Sequence, residues 1–535
     1  MASAFAPLRH PAFRMLWWAN LAANAGMWVQ NTGAGWSMTT LDPSPIMVSL
    51  VQASSMLPVF LLALPAGALA DILDRRLFLI SAQIWMVAVS LLLCALAWAG
   101  MLGPWSLLAL TFAVGAGTAM TFPGWAATTP ELVPRSDLVQ AIALNGIGFN
   151  LARSLGPAVG GFVISWFGTA ASFALNAGSA TLLLIALVFW RREPAEANRT
   201  LPKEHFLSAV RAGVRFVAAS PLLRATILRA LAFFFFGAAV WGLLPLLVRE
   251  QLGLGPEAYG LMLTAMGSGA VGGGFALPWL RARADRSRIV LLGTMLSGAS
   301  LAVLGVSFHW FVAGIGMVGY GISWITVAST LQASAQFAAP GWVRARAIAI
   351  YQLSFFGALA AGSTLAGIAG RIVGLPITLV AFGLLGAIAS WLVRRAQIEA
   401  PSSADAETIP APARPDAPSA DMIRSLGEHS GRVLEVVRYT ILPADRAAFL
   451  VAMAECRRVR LRGGAVTWRL YEDVAIPERW IELWAVESWT DHLRENVRLT
   501  PEDQAVLARA ASLQVAGTAP ELARYLNVLP AGVRG

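Results

Sequence analysis

The chain has 535 residues, of which 57% are hydrophobic and only 13% charged, against about 25% charged in soluble globular proteins. A mean hydropathy of +0.63 excludes an ordinary water-soluble protein and places the chain in the membrane class. The net charge of +10 does not argue for nucleic acid, because the arginines fall mostly in short breaks between apolar runs.

In chain order, the basic opening MASAFAPLRHPAFRMLWW leads into an apolar run too long for the core of a signal peptide. A retained first transmembrane helix is therefore expected. A span needs about 20 mostly apolar residues. Twelve such runs are read, at 13–40, 48–70, 77–100, 105–128, 139–165, 170–190, 225–248, 258–280, 289–307, 311–336, 347–371 and 376–393. The stretch 191–224 divides them into an N-terminal six-helix half over 1–190 and a C-terminal half over 225–395. Alternate short loops hold Arg9, Arg14, Arg75, Arg76, Arg135, Arg191 and Arg192, and onward to Arg394 and Arg395. The opposite side holds little beyond Arg249 and Arg371. By the positive-inside rule, both termini and the central loop face the cytoplasm of a multi-pass inner-membrane protein. In that loop, EHFLSAVRAGVRFVAASP sets Phe206, Val210, Val214 and Val217 at helical spacing beside Arg211 and Arg215. This is the pattern of an interfacial amphipathic helix, or of an ordinary linker helix.

Two stretches carry gating candidates. In GALADILDRR, residues 67–76, Asp71 ends a span and Arg75 and Arg76 follow in a tight loop. A carboxylate near two guanidiniums can clamp helix ends by charge-assisted hydrogen bonds, and remaking that clamp would act as a gate. Plain positive-inside punctuation is the other reading. Glu131 and Arg135 sit in the four–five loop. In NLARSLGPAVGG, residues 150–161, Gly156, Gly160 and Gly161 permit close helix approach, and Pro157 removes a helix hydrogen bond.

These stretches resemble the major facilitator superfamily. The loop G-x-x-x-D…R-R between spans two and three is similar to its loop motif, with Ile72 and Asp74 where the usual form has a basic residue and a Gly. GFALPWLRARADRSR, residues 274–288, is a degenerate second copy. GPAVGG resembles the fifth-helix element of superfamily exporters, with Ala143 and Ala152 in place of its upstream glycines. FPGWAATTPELVPRSDLVQAIALNGIGFNLARSLGPAVGG, with FRMLWWANLAANAGMWVQNTGAGWSM and LLALPAGALADILDRR, resembles the branch of enterobactin and related siderophore exporters. The resemblance implies two related six-helix halves and ion-driven export, with a proton as the expected coupling ion.

Arg153 lies about fifteen residues into its span, roughly 20 Å from the cytoplasmic end at 1.5 Å per residue. No run has an Asp or Glu in its interior; Asp71, Glu131, Glu250 and Glu257 lie at span ends or in loops. An intramembrane cation normally faces a cavity or a partner. An anionic substrate held by the guanidinium fork is one reading. Donation to backbone carbonyls freed by Pro157, or to Asn150, is the other. Candidate lining residues are Asn20, Asn24, Gln30 and Asn31, then Asn145 and Asn150, then Gln332, Gln336 and Gln352. Trp241 and other tryptophans would supply aromatic walls for a bulky ligand. His309, in an outer loop, is the one histidine of the helical region. Proton coupling would therefore fall on Asp71 or Glu131, or on the substrate itself.

Residues 396–429 are rich in Ala, Pro and Ser and read as a disordered linker. Residues 430–530 follow the order β-α-β-β-α-β, with TDHLRENVRLTPEDQAVLARAASL as one helix. That order gives a cytoplasmic ferredoxin-like domain. It resembles the dimeric α/β-barrel domains of antibiotic-monooxygenase type, which implies a homodimer or ligand sensing. His492, Trp489 and Tyr471 would be its catalytic candidates, but no metal cluster or cofactor loop is legible and no cofactor is expected. Two cysteines, Cys94 and Cys456, imply no disulfide framework.

The expected architecture is an all-α polytopic membrane protein with twelve transmembrane helices plus an α+β tail. The expected function is export of a small anionic or amphipathic molecule, siderophore- or drug-like, by alternating access. The alternatives are a membrane-tethered sensor or monooxygenase-like enzyme acting through the tail, and an importer or lipid flippase on the same fold. The expected partners are this small molecule, a coupling ion and the lipid bilayer, with no nucleic acid.

Overall fold

The computed structural model describes residues 5–190, 206–340, 343–398, 432–496, 499–515 and 518–526. The expected linker and the first part of the central loop fall almost wholly outside these residues. So do the side chains of Asp71, Arg135, Phe206 and Val210.

Six helices form the first half: α1 (Pro11–Leu41), α2 (Pro45–Ile72), α3 (Arg75–Trp98), α4 (Pro104–Leu132), α5 (Leu138–Phe167) and α6 (Thr169–Phe189). A shorter helix, α7 (Phe206–Ala219), precedes the second half: α8 (Pro221–Leu246), α9 (Pro256–Arg281), α10 (Arg286–Val306), α11 (Trp310–Phe337), α12 (Arg344–Val373) and α13 (Leu375–Leu392). Among the described residues, 10 helices are long and apolar enough to cross a membrane, against the twelve expected. Those outside this set are α1 and α4, although they run for 31 and 29 residues. In α1, Asn20, Asn24, Gln30 and Asn31 dilute the hydropathy.

Local chemistry sets the helix ends. Proline opens α1, α2, α4 and α9, where its missing N–H costs no helical bond. The two halves repeat two devices. Asp74 caps α3 by accepting from Leu77 N at 3.0 Å, and Asp285 caps α10 by accepting from Arg288 N at 2.7 Å. Gly168, with φ +80°, joins α5 to α6, and Gly374, with φ +84°, joins α12 to α13. Both occupy the left-handed region that side chains avoid. A core of Phe13, Leu16, Trp17, Leu79, Leu144, Leu183 and Leu187 holds α1, α3, α5 and α6 together.

After residue 431 the chain forms β1 (Val433–Thr440), α14 (Arg446–Gly463), β2 (Thr467–Glu472), β3 (Arg479–Val486), α15 (Trp489–Asn496), α16 (Pro501–Ser512) and β4 (Glu521–Leu526). The four strands make one antiparallel sheet in the order β2-β3-β1-β4. Glu435 stands opposite Trp484, Val437 opposite Glu482, and Tyr439 opposite Trp480. Phe449, Met453 and Cys456 of α14 pack on Trp480 and Trp484. The helix expected over 490–513 is two helices. Thr500 and Asp503 form a capping box, and Pro501 follows the cap, so a new helix starts there. Burial, with Glu435 nearby, holds the Glu495 carboxyl above its ordinary value.

The chain divides into two compact units. One comprises Met1–Pro202, Ile227–Leu331 and Tyr351–Gln397; the other comprises Lys203–Thr226, Gln332–Ile350 and Ile398–Gly535. Within the second, Arg215 of α7 pairs with Glu487 at 3.0 Å. Phe216 and Val217 are buried, whereas Val214 of the expected apolar stripe stays 53% exposed.

Candidate functional site

The helices of the first half form a partly open cavity of about 220 Å³. Asn20, Asn24 and Met27 of α1 line it, with Gln83 and Met86 of α3, Thr121 and Trp125 of α4, Asn145 and Phe149 of α5, and Asn176 of α6. Behind the wall, Gln30 Oε1 accepts from Asn176 Nδ2 at 2.6 Å and from Ser90 Oγ at 3.0 Å. That shared acceptor turns the Asn176 amide nitrogen toward α1 and leaves its oxygen free. Asn145 Nδ2 donates to Thr129 Oγ1 at 3.1 Å. Gln83 Oε1, Trp125 Nε1, Asn145 Oδ1 and Asn176 Oδ1 are all buried without a hydrogen-bond partner. Each such group costs about 1–3 kcal/mol if left unpaired. Four of them around one cavity mark a place where a ligand or water completes the bonding. Among the described residues none of the lining side chains is ionisable. The wall thus suits neutral hydrogen-bonding groups beside an apolar or aromatic body.

Arg153 lies outside this lining, one turn further along α5. Gly156 and Gly160 abut α1: a Cβ on Gly156 would meet Trp28 Cβ at 2.6 Å, and one on Gly160 would meet Val29 Cα at 3.2 Å. On the other flank, Gly161 lies 3.0 Å from Gly260 Cα of α9 by the same construction, and Gly260 lies 2.5 Å from Pro157 O. At about 100° per residue, Arg153 bisects these two flanks. It is part-buried between the directions of α1 and α9, and about 40° from cavity-lining Phe149. Its Nη2 donates to Asn150 Oδ1 at 3.0 Å, and Asn150 Nδ2 donates to Gly146 O at 2.8 Å. Among the described residues no carboxylate pairs with Arg153.

An aromatic chain joins the halves near this point. Trp28 of α1 lies 6.0 Å from Trp241 of α8, which lies 5.4 Å from Trp324 of α11. The indole nitrogen of Trp28 is buried without a hydrogen bond, and that of Trp241 faces the Tyr320 hydroxyl. Further toward the α1 C-terminus, Trp36 stacks on Tyr259 at 6.2 Å, and Arg249 Nη1 donates to Thr39 Oγ1 at 3.1 Å and Thr40 Oγ1 at 2.9 Å. The halves therefore meet where α1, α5 and α8 end and α9 begins.

At the opposite ends of these helices, Arg75 Nη1 pairs with Glu131 Oε1 at 2.5 Å, joining the start of α3 to the end of α4. Arg76 donates to Leu187 O at 3.0 Å and Val188 O at 2.6 Å, capping α6 where its dipole is negative. His10 pairs with Asp137 at 3.0 Å.

The sequence-predicted residues thus fall into separate groups. Asn20, Asn24 and Asn145 line the cavity, and Gln30 supports it. Arg153 and Asn150 form a pair beyond it. Asn31 and Gln352 are part-buried elsewhere, and Gln332 and Gln336 are exposed and belong to the other compact unit. Sequence reasoning passed over Gln83 and Asn176. A signal existed: each interrupts an i, i+3, i+4, i+7 stripe of buried small or apolar residues, Leu79-Ala82-Met86-Leu93 and Phe173-Ala177-Ala180-Leu183.

The sequence matches, over residues 2–530, the family described as transmembrane secretion effector, of major facilitator type. The chain belongs to this family. An uncharacterized MFS-type transporter of Bacillus subtilis, YfiS, is 26% identical over 283 residues, which are 52% of this chain and 65% of that protein. The staphyloferrin A transporter of Staphylococcus aureus is 25% identical over 53% of this chain and 70% of its own length. The enterobactin exporter of Shigella boydii serotype 18 is 28% identical over 38% and 48%. The first and third of these are matched over less than two thirds of their own length. Two solved structures share the fold. A bacterial homolog of the human lysosomal transporter Spinster, inward-facing and unoccupied, superposes with TM-score 0.59 at 16% identity, over 73% of this chain and 98% of that one. A POT family transporter in complex with a thioalcohol-conjugated peptide gives 0.59 at 13% identity, over 71% and 95%.

Proposed function

We propose that this secretion-effector family member is a secondary transporter that exports a small anionic or amphipathic molecule across the cytoplasmic membrane by alternating access. The observation that carries this reading is the cavity wall with four unpaired polar atoms, one helical turn from Arg153 and the Trp28–Trp241 pair. A 220 Å³ cavity is smaller than the roughly 300–1,000 Å³ of drug-sized ligand sites. The cargo's hydroxyl- or amide-bearing portion sits there, and its anionic portion extends to the guanidinium of Arg153. Catecholate or carboxylate chelators have both portions, and the relatives named for staphyloferrin A and enterobactin support a siderophore-like cargo.

In this reading twelve helices, α1 and α4 included, cross the bilayer, with both termini and the tail cytoplasmic. The contacts of α5 on α9 and of Arg249 on α1 then close the outer end, as in an inward-facing state. Arg75, Glu131, Asp71 and Arg135 form the cytoplasmic gate. With no carboxylate inside the spans, a coupling proton rides on these peripheral groups or on the cargo. The strand order β2-β3-β1-β4 and the antiparallel pairing support a ferredoxin-like tail domain, which serves as a dimerisation or sensing module.

The test compares metabolites retained by cells with and without the protein, then in Arg153→Ala, Arg153→Lys and Asn176→Leu. A charge-assisted contact is worth about 1.5–3 kcal/mol, so Arg153→Ala should lower export at least tenfold, and Lys should restore only part because it lacks the planar fork. Export at the wild-type rate by both Arg153 variants would remove the anion site from the proposal.

A further inference from the structure

The C-terminal domain buries an unusual set of charges. Glu435 and Glu482, on β1 and β3, are 0% exposed; His492 and Glu495, on α15, are 2% and 4%; Arg460, on α14, is 6%. All of them sit between the sheet and the helices. Three carboxylates, a guanidinium and an imidazole are thus buried together.

Glu482 is satisfied by protein alone. Its Oε1 accepts from Trp468 Nε1 at 2.9 Å and Arg460 Nε at 3.3 Å, and its Oε2 accepts from Tyr439 Oη at 3.2 Å. Arg460 thus bridges Glu482 and, at longer range, Glu495. Beside this network stand Glu435 and His492. Glu435 Oε1 and His492 Nδ1 are in direct contact. Glu495 Oε2 accepts from Trp484 Nε1 at 3.1 Å, while its Oε1 is buried with no hydrogen bond, 3.8 Å from Arg460 Nη1. One donor atom from each of Glu435, His492 and Glu495 lies within 4.8 Å of the others. Bonds of about 2.0–2.2 Å around a tetrahedral zinc-like ion put donors about 3.3–3.6 Å apart, so the touching Glu435–His492 pair must open to admit an ion among the three donors.

From this geometry we propose that Glu435, His492 and Glu495 hold one divalent first-row cation of the zinc, manganese or ferrous class. The His-x-x-Glu spacing of 492 and 495 sets both donors on one face of α15, and β1 supplies the third. Mixed imidazole and carboxylate donors suit these ions and not Ca²⁺ or Cu⁺. The indole of Trp484 orients Glu495, the supporting role that buried metal ligands require. The site is independent of the transport reading: it stands whether or not the membrane part exports anything.

The test uses the full chain, purified in detergent, stripped with a chelator and dialysed against micromolar ZnCl2 or MnCl2, with bound metal counted by mass spectrometry. One retained ion per chain is expected. X-ray absorption at the zinc edge of the wild type should show one imidazole among oxygen donors. Glu495→Gln and His492→Gln should each weaken retention at least tenfold, since losing even a supporting partner of a ligand costs that much. Glu472→Gln, on the exposed edge of β2, should retain the ion. No retained ion, a coordination shell with no imidazole or with more than one, or wild-type affinity in Glu495→Gln would each overturn the proposal. Because the absorption spectrum is read on the wild type, it decides the matter even where a variant fails to fold.

Discussion

Replacing Gly161 with Ala tests how the two halves close on each other. A Cβ at this position would meet Pro256 O at 2.6 Å, Gly260 Cα at 3.0 Å and Glu257 Cα at 3.2 Å. Ordinary contact begins at 3.4 Å, so the carbonyl oxygen is 0.8 Å too near (3.4 − 2.6). All three obstacles are main-chain atoms, and no rotamer change relieves them; α5 and α9 must part. Overpacking of this kind costs about 1–3 kcal/mol. The cost falls only on the arrangement in which α5 lies on α9. If the halves alternate, Gly161→Ala shifts the equilibrium away from this arrangement by roughly 5–150-fold. Spin labels at Leu41, the end of α1, and Glu250, in the turn that follows α8, report the separation by pulsed electron resonance in a Cys94→Ala background. The variant should populate a longer distance than its parent, while Gly272→Ala, whose Cβ meets nothing within 4 Å, should not. An unchanged distribution in Gly161→Ala, or the same lengthening in Gly272→Ala, refutes the reasoning.

Three further outcomes follow from single contacts. Gln30→Leu removes the acceptor shared by Ser90 and Asn176, and should lower stability in detergent by about 1–2 kcal/mol per orphaned donor, read as a fall in melting temperature. Arg75→Gln and Glu131→Gln should be non-additive. Side chains only 20% and 16% exposed imply a coupling of about 0.5–3 kcal/mol in a double-mutant cycle, and strict additivity would show that the pair contributes nothing. Burial, reinforced by Glu482, pushes the Cys456 thiol up to about 12 from an ordinary value near 8.5. The folded domain thus binds this proton more tightly than the unfolded chain. Its stability should fall as pH rises from about 8.5 toward 12, and iodoacetamide should leave Cys456 unlabelled at pH 8 until denaturant is added, as mass spectrometry of the digested protein would show.

Much of the architecture was legible because hydropathy and turn chemistry act locally. Runs of apolar residues bounded by Pro11, Pro45, Pro104 and Pro256 give helices that begin where proline permits. The repeat of the two halves is legible in a damaged loop motif that contains Asp71. The repeated carboxylate that the structure describes is instead the helix cap, Asp74 in one half and Asp285 in the other. The break between α15 and α16 was also written locally, in Thr500-Pro501 and Asp503. It was overlooked because helical periodicity runs through it on both sides.

The sites were harder to read, for a different reason. A polar residue on a buried face is visible in sequence when its phase is compared with its neighbours. Glu435 is in register with Val433 and Val437 along β1, and Glu482 with Trp480 and Trp484 along β3. Both were destined for the interior by period-two alternation alone. Gln83 and Asn176 were marked in the same way by helical periodicity. Phase, however, says only that a polar group is buried, not what satisfies it. Glu482 finds Tyr439, Arg460 and Trp468 from three other elements, whereas Glu495, 11 residues from its partner Trp484, keeps one oxygen without a hydrogen bond. That difference separates a structural network from a place for a ligand. It depends on distances between segments far apart in the chain, so it becomes readable only once the fold has brought them together.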